Sequence, residues 1–233
     1  MPAHQPDHDR GIARRLSSFG LGEEDLTAWR ESGLPDSAFD EWLTDRVARR
    51  PAGSRARSVY GAEDVHDFAR RAILGALALG AKDRLLEVGC GGGLLLRDAL
   101  DSGAAVTGID HSEEMVALAR ERAPGANVEL ASAETLPFAD ASFSAVAMSV
   151  VFFFFERPEL VLSECRRVLA ADGRIAVYTT APELRGTPAA PEPLARFGHF
   201  YTDAQLAQLA RGAALRDVAV DNSGGGQLIT GRR

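Results

Sequence analysis

The segment that decides the fold of this 233-residue chain reads Leu85-Leu86-Glu87-Val88-Gly89-Cys90-Gly91-Gly92-Gly93. Its first residues are typical of a buried strand, and an apolar helical pattern follows Gly93. Glycines at such a junction permit positive φ and let a ligand lie against bare backbone at the carboxyl edge of a sheet. The segment therefore predicts a strand, a ligand-binding loop and a helix.

A second signal, Gly108-Ile109-Asp110, ends the next predicted strand. Asp110 follows Glu87 by 23 positions, and a carboxylate there can accept hydrogen bonds from both hydroxyls of a ribose. A plain tight turn would explain a lone glycine run, but it would not explain this acid. The two signals together predict a nucleoside-binding βαβ unit.

The glycine spacing argues against a nicotinamide or flavin dinucleotide. Those ligands use G-x-G-x-x-G, and the third glycine, counted from Gly89 and Gly91, would fall at Leu94. Glu87 is also unfavourable beside a pyrophosphate, whereas it suits a ligand that carries an ammonium group. A nucleoside with an amino-acid tail and no phosphate satisfies both observations, which leaves a dehydrogenase as the weakest interpretation.

Predicted strands and helices alternate through the rest of the chain. Strands are expected near residues 85–88, 105–109, 128–130, 143–151, 174–178, 215–220 and 227–230. This alternation predicts an α/β fold with a Rossmann-like, doubly wound, seven-stranded and mostly parallel sheet. The connection 221–226 is too short for a parallel crossover, so the last strand is expected to be antiparallel.

Composition excludes several classes of protein. The formal net charge is -7, which disfavours attraction to nucleic acid or anionic lipid. Cys90 and Cys165 form neither a C-x-x-C pair nor a ligand cluster, so no metal site is expected. No signal peptide is visible, and the longest apolar run, residues 145–155, is too short to span a bilayer. We therefore expect a cytoplasmic protein without membrane insertion.

Beyond these signals, the chain resembles the class I S-adenosylmethionine-dependent methyltransferases, in particular the small-molecule group that includes the ubiquinone and menaquinone biosynthesis C-methyltransferases. The resemblance is close over residues 82–179 and looser from there to Arg233. Its motifs are Glu87-x-Gly89-x-Gly91-x-Gly93, Gly108-x-Asp110-x-Ser112-x-x-Met115, Ser132-Ala133-Glu134-x-Leu136-Pro137-Phe138, Ser142-Phe143, Ser149, and Arg167-Val168-Leu169 before Gly173.

The resemblance implies S-adenosyl-L-methionine as the cofactor and transfer of its methyl group to a small-molecule acceptor. It implies that the glycine loop contacts the methionine part and that Asp110 binds the ribose. His111 and Met115 would flank the adenine, Ser149 would line the sulfonium end, and Tyr60 would close the pocket. The complete set of implied cofactor contacts is Tyr60, Glu87, Gly89, Cys90, Gly91, Gly93, Asp110, His111, Met115, Ser132, Ala133, Glu134 and Ser149.

Two departures from the family pattern bear on function. The family usually has Gly-Asp-Ala where this chain has Ala131-Ser132-Ala133, so we expect weaker or water-assisted binding of the adenine amino group through Ser132. The family often has a His pair where Phe152-Phe153-Phe154-Phe155 stands here. Alternate phenylalanines of this run would belong to the core. The remainder would either pack under a lid or face an apolar or aromatic acceptor.

A general base is needed only where the acceptor must lose a proton. His199 and Tyr201 follow the fifth predicted strand, on a connection expected above the substrate side, so they are the catalytic candidates. Packing within a loop is the alternative interpretation of both. His66 is more simply explained as a surface histidine.

The leading hypothesis is methyl transfer to a small molecule of secondary metabolism or quinone-like chemistry, with O, N or C as the acceptor atom. The alternative is a non-catalytic S-adenosylmethionine-binding module with a regulatory or scaffolding role. A nucleic-acid methyltransferase is disfavoured because the chain lacks an Asn/Asp-Pro-Pro-Tyr/Phe motif and a basic face.

The methyltransferase domain is expected at residues 59–233. The segment before it, residues 1–58, is longer than the minimal fold requires. Polar residues 1–12 predict a disordered tail, residues 20–50 predict two short amphipathic helices, and residues 51–58 predict a linker. A stronger helix is expected at 62–79. Residues 1–58 are expected to form a lid over the acceptor pocket or a homodimer contact.

Overall fold

The computed structural model describes residues 5–52, 57, 59, 60, 62 and 66–233. The helices in these residues are α1 (Gln5–Ser18), α2 (Glu23–Glu31), α3 (Phe39–Thr44), α4 (Asp67–Leu77), α5 (Leu94–Leu100), α6 (Glu113–Arg122), α7 (Pro158–Val168), α8 (Leu194–Phe197) and α9 (Asp203–Gly212). The strands are β1 (Arg84–Val88), β2 (Ala105–Asp110), β3 (Asn127–Leu130), β4 (Phe143–Ser149), β5 (Leu169–Thr180), β6 (Arg216–Ser223) and β7 (Gly226–Arg232).

The strands form one sheet in the order β3-β2-β1-β4-β5-β7-β6. Strands β1 to β5 are parallel, and β7 is antiparallel to both of its neighbours, β5 and β6. The predicted mostly parallel sheet with an antiparallel last strand is therefore confirmed. The strand order reverses between β1 and β4, and in open α/β sheets such a switch point leaves a crevice at the carboxyl ends of the strands.

Alternation of side chains along β1 explains how the sheet is covered on both faces. Leu86 and Val88 pack into a cluster with α7 and α9, whereas Leu85 packs into a second cluster with α4, α5 and α6. Successive residues of a strand point to opposite faces, so Glu87 shares the face of Leu85. This alternation directs the Glu87 carboxylate towards α4.

The N-terminal residues form a small helical unit with its own apolar cluster. Leu16, Trp29, Phe39 and Leu43 belong to it, and Leu194 of α8 packs against it. The prediction of a disordered tail over residues 1–12 is wrong from residue 5 onwards, where α1 begins. The helix is amphipathic, because Ile12 and Leu16 lie one turn apart and are 7% and 1% exposed. Residues 1–4 lie outside the described part of the chain.

Several predicted boundaries differ from the structure. The helix expected at 62–79 ends at Leu77 because Ala78 adopts φ +45°, and its first turn falls partly on residues outside the description. The fourth strand ends at Ser149 instead of 151, because Val150 takes φ +57° and a 3-10 turn follows at Phe152–Phe154. Of the linker expected at 51–58, only residues 51, 52 and 57 are described.

In the part of the chain that the structure describes, no helix combines the length and the apolar character needed to cross a bilayer.

Candidate active site

A cavity of about 510 Å³ lies at the carboxyl ends of the central strands. Its volume is within the range of small-molecule sites, about 300–1,000 Å³. The loops after β1, β2, β3 and β4 form its floor, and the N-terminal unit contributes to its roof. Every residue predicted to contact the cofactor lines this cavity except Gly93. The structure therefore brings residues from 60 to 149 together at one site.

The glycine loop adopts the backbone that its sequence predicts. Gly89, Gly91 and Gly93 have φ of +72°, +48° and +81°, a region that glycine enters without steric cost. A Cβ on Gly93 would lie 2.8 Å from the Ala119 Cα atom. Gly93 thus serves close packing against α6, which explains why it does not line the cavity.

Asp110 holds the loop in place from the end of β2. Its Oδ2 accepts a hydrogen bond from the Gly91 N–H at 2.9 Å, and its Oδ1 accepts one from the Ser112 N–H at 2.9 Å. Each carboxylate oxygen has a second lone pair that can accept from a ligand hydroxyl. Burial raises the pKa of Asp110 above its ordinary value, and the two backbone N–H donors oppose this. The geometry suits a ribose diol.

Glu87 is the most informative group in the cavity. It is 2% exposed, and its Oε2 has no hydrogen-bond partner among the described residues. Burial raises the pKa of Glu87 well above its ordinary value; the Asp110 charge adds to this shift and Arg70 opposes it. A buried carboxylate oxygen without a donor is costly. A ligand ammonium group would supply the missing donor.

Arg70 lies beside Glu87 and was not predicted from the sequence. It is 5% exposed, lines the cavity, and its Nε donates to Asp98 Oδ2 at 2.8 Å. A guanidinium next to a carboxylate can hold the carboxylate and ammonium of an amino-acid tail. Arg70 shares the buried face of α4 with Ile73 and Leu77. A charged residue on that apolar face was the signal that could have found it.

Met115, Ser132, Ala133 and Glu134 line the predicted adenine end of the cavity. Met115 is 1% exposed and packs with Leu118 and Tyr60. The Ser132 hydroxyl accepts the Glu134 N–H at 3.3 Å. Two further predicted residues, Ala133 and Glu134, line the cavity, and Glu134 is paired with Arg157. The Ser132 hydroxyl therefore keeps its own proton available for a purine nitrogen.

The N-terminal unit is bonded directly to the edge of this site. His111 Nε2 bonds to the Arg49 carbonyl oxygen, and the Ser112 hydroxyl donates to the Pro51 carbonyl oxygen at 3.3 Å. The Tyr60 hydroxyl donates to the Val47 carbonyl oxygen at 3.2 Å. His111 and Tyr60 thus fix the roof as well as lining the cavity.

Arg49 occupies the centre of the roof. Its guanidinium bonds to Asp45 and lies 3.4 Å from Glu41 Oε1 and 4.0 Å from Glu156 Oε1. It thereby connects the turn after α3 with the segment after β4. Glu41, Asp45 and Arg49 were not predicted as cavity residues, because on sequence they are ordinary surface charges of an amphipathic helix.

Aromatic side chains form the remaining wall. Phe153, Phe154 and Phe155 line the cavity, whereas Phe152 is 1% exposed and belongs to the core. The last two residues of the 3-10 turn and Phe155 after it present three consecutive rings, so the expected alternation of core and exposed residues is wrong for this segment. Ala189 and Leu194 extend the apolar surface. None of these residues belongs to the predicted cofactor set, so this wall is the candidate acceptor end.

His199 and Tyr201 are not among the described residues that line the cavity. The His199 N–H donates to the Phe153 carbonyl oxygen at 2.7 Å, and its Nε2 lies 3.4 Å from Glu156 Oε2. Tyr201 packs against Phe152 with ring centroids 5.9 Å apart, and burial raises its pKa. The structure thus places both catalytic candidates next to residues of the segment after β4 but outside the cavity lining, and their catalytic role stays a prediction.

Side chains that could bind a metal ion are a further class of group at this site. No cluster of three or more His, Cys, Asp or Glu side chains arranged to hold an ion occurs in the part of the chain that the structure describes.

Comparison with known proteins agrees with this geometry. Residues 86–177 match the family model described as a methyltransferase domain. The chain is 35% identical over 152 residues to the demethylmenaquinone methyltransferase of Beutenbergia cavernae, covering 65% of this chain and 61% of that protein. It is 37% identical over 136 residues to the 27-O-demethylrifamycin SV methyltransferase of Amycolatopsis mediterranei, covering 54% and 50%. The chain thus spans 61% and 50% of the length of these two relatives.

Solved structures show the same relationship. The crystal structure of an S-adenosylmethionine-dependent methyltransferase from Thermotoga maritima has a TM-score of 0.60 and 25% identity, covering 72% of this chain and 90% of that one. These matches are consistent with the sheet order and with the glycine loop described above. The chain therefore contains a region, residues 86–177, that matches a methyltransferase domain, and it is similar in sequence and fold to S-adenosylmethionine-dependent methyltransferases.

Proposed function

We propose that this protein transfers a methyl group from S-adenosylmethionine to a small apolar or aromatic acceptor. The observation that carries the proposal is the buried Glu87 carboxylate, whose Oε2 lacks a partner among the described residues in a cavity that also contains Arg70 and Asp110. These three groups match an ammonium, a carboxylate and a ribose diol. The Glu87 carboxylate would repel a pyrophosphate, which disfavours a dinucleotide at this site.

The cofactor supplies an electrophilic methyl group on a sulfonium, so the chain's own residues mainly have to position the reactants. Glu87 and Arg70 hold the amino-acid end, and Asp110 accepts from the ribose hydroxyls. Ser149 lies at the end of β4, between these groups and the aromatic wall. Alignment in a dry pocket supplies most of the acceleration of such a displacement.

The aromatic wall supports an apolar acceptor. Phe153, Phe154 and Phe155 offer ring faces, and Ala189 and Leu194 add aliphatic surface. The rings of Phe153 and Phe154 lie 4.0 Å apart. A flat ring packs well against such surfaces. The two curated relatives, which are named for a demethylmenaquinone and a demethylrifamycin, are in keeping with a small-molecule acceptor.

The N-terminal residues before 59 are proposed to act as a lid. Three hydrogen bonds, from His111, Ser112 and Tyr60, join this unit to the cavity rim. Arg49 and Asp45 line the cavity from above. These contacts support the lid role, while a homodimer contact stays a prediction.

Calorimetry and turnover test the proposal. We expect micromolar binding of S-adenosylhomocysteine and much weaker binding of NADH. Asp110→Asn should weaken the binding of S-adenosylhomocysteine by about 10- to 100-fold, because hydrogen bonds to a charged acceptor contribute about 1.5–3 kcal/mol. Asp101→Asn, an exposed carboxyl at the end of α5, is the matched control and should bind as the wild type does.

Transfer of a labelled methyl group to a panel of phenols, amines and quinols then separates an enzyme from a binding module. Turnover of any acceptor above the buffer rate supports the proposal. Tight cofactor binding without turnover across the panel would instead indicate the non-catalytic alternative, and preferential binding of NADH would refute both.

A further inference from the structure

The cavity contains a histidine that the sequence did not favour. Among the described residues, the histidines that line it are His66 and His111. The Nε2 of His111 is already bonded to the Arg49 carbonyl oxygen in the roof. The His66 ring makes no hydrogen bond to any described residue. His66 is therefore the histidine in this cavity best placed to interact with a ligand.

His66 lies where α4 meets the sheet. It directly precedes α4, a helix that packs on β4 and β5. Its ring lies 6.4 Å from the ring of Phe68, which in turn lies 5.5 Å from that of Tyr178 on β5. Ser149 and Thr180, at the carboxyl ends of β4 and β5, line the same cavity. The imidazole therefore shares the cavity with Ser149, the residue predicted to line the sulfonium end.

The backbone of His66 is unusual for a residue with a side chain. Its φ is +51° and its ψ +32°, in the left-handed region. This conformation is uncommon outside glycine, although histidine, asparagine and aspartate tolerate it best. Such conformations are kept where the surrounding structure fixes them, often at functional sites. The turn aims the side chain at the cavity before the helix begins.

The surroundings of His66 keep its imidazole neutral. Burial lowers the pKa of His66, and the nearby Arg70 guanidinium lowers it further. The charged groups that line this part of the cavity are Arg70 on its own helix and Glu87 on β1, which faces α4. At neutral pH an unprotonated imidazole nitrogen is therefore available to accept a proton.

We propose that His66 is the general base for an acceptor with an ionisable hydroxyl, such as a phenol or a quinol; this inference rests on the proposed function. The acceptor oxygen bonds to the methyl carbon while the carbon–sulfur bond breaks and its electron pair stays on sulfur. The proton of the acceptor hydroxyl goes to the imidazole of His66 and then to solvent. Charge balances, because the sulfonium becomes a neutral thioether and one proton is released.

A binding experiment tests this without turnover. In the wild-type protein saturated with S-adenosylhomocysteine, phenol is titrated while the imidazole ¹⁵N–¹H correlation spectrum is recorded. The His66 signals are assigned by their absence from His66→Asn, a residue that tolerates the same backbone. We expect phenol to shift the His66 signals and leave those of His8, on α1, unchanged. Unchanged His66 signals under saturating phenol would overturn the proposal.

Kinetics on the best acceptor of the panel supply the second readout. His66→Asn should lower kcat at pH 7 by about a hundredfold or more, with the affinity for S-adenosylhomocysteine within twofold of wild type. The low-pH limb of the wild-type rate profile should disappear, and the residual rate should rise with pH as the acceptor ionises. His8→Asn is the control and should keep the wild-type rate.

Two results would contradict the assignment. If His199→Asn caused the large loss and His66→Asn did not, the sequence-based choice of His199 would be correct. If His66→Asn lost cofactor affinity and rate in parallel, His66 would serve only to close the cofactor pocket. If the wild type methylates no acceptor, the proposed function fails, and the phenol titration alone decides whether His66 contacts a hydroxyl ligand.

Discussion

Replacing Gly93 by alanine should destabilise the ligand-free protein by about 2–5 kcal/mol. Gly93 has φ +81°, a conformation that costs a residue with a Cβ about 1–2 kcal/mol. The new Cβ would also lie 2.8 Å from the Ala119 Cα and 2.9 Å from its Cβ. Relief of such a contact in a packed interior costs about 1–3 kcal/mol more. Both costs arise because the loop packs directly against α6.

Two alanine variants separate these contributions. Gly91 has φ +48° but nothing within 4 Å of its Cβ position, so Gly91→Ala should show the conformational cost alone, about 1–2 kcal/mol. Gly75 is exposed within α4, without positive φ or a close neighbour. Gly75→Ala should therefore stabilise the protein by about 0.5–1 kcal/mol.

Urea unfolding of the ligand-free proteins measures these differences from the midpoints at a shared slope. For a chain of this size each kcal/mol corresponds to a shift of about 2–4 °C in Tm, which gives an independent check. If Gly93→Ala destabilised no more than Gly91→Ala, the close approach of the loop to Ala119 would be wrong.

Two further predictions concern the cavity. The fold raises the pKa of Glu87, so the stability that its protonated form contributes is lost as pH rises. Ligand-free Glu87→Gln should therefore gain stability over wild type progressively as pH rises above the ordinary pKa of a glutamate, measured in urea titrations. A difference that stays constant with pH would contradict the burial of this carboxyl. Arg49 links the lid to Glu156, and this link is weak because the partners of Arg49 are exposed. Arg49→Ala should therefore speed S-adenosylhomocysteine dissociation by about two- to fivefold in stopped-flow measurements. An unchanged rate would show that Arg49 does not hold the lid closed.

The sheet could be predicted because its signals are local. The apolar run at Leu85-Leu86 marks a strand and the acid at Asp110 marks the end of the next one, and parallel strands bring their carboxyl ends to one edge of the sheet. Most residues predicted to contact the cofactor, from Gly89 to Ser149, lie at or soon after strand ends, so predicting the strands also predicted most of the cavity floor. The connection before β7 is too short for a parallel crossover, so its length predicted the antiparallel direction of β7.

The roof and the acceptor end could not be predicted in the same way. The sequence of α1 is mostly polar, so its few buried apolar residues, such as Leu16, are a weak signal for a packed helix. Val150 turns the chain through a positive φ that no β-branched residue prefers, so the aromatic run leaves the sheet instead of continuing it. His199 follows the expected strand, yet it does not line the cavity, and its N–H is bonded to the Phe153 carbonyl oxygen. These placements depend on contacts between distant segments.

The most direct test is a crystal structure of the protein with S-adenosylhomocysteine. We expect the ligand in the 510 Å³ cavity, with its ammonium group on Glu87, its carboxylate towards Arg70 and both ribose hydroxyls within hydrogen-bond distance of Asp110. An adenosine bound elsewhere, or a cavity that stays empty at saturating ligand while Glu87 keeps its unpartnered oxygen, would contradict the account.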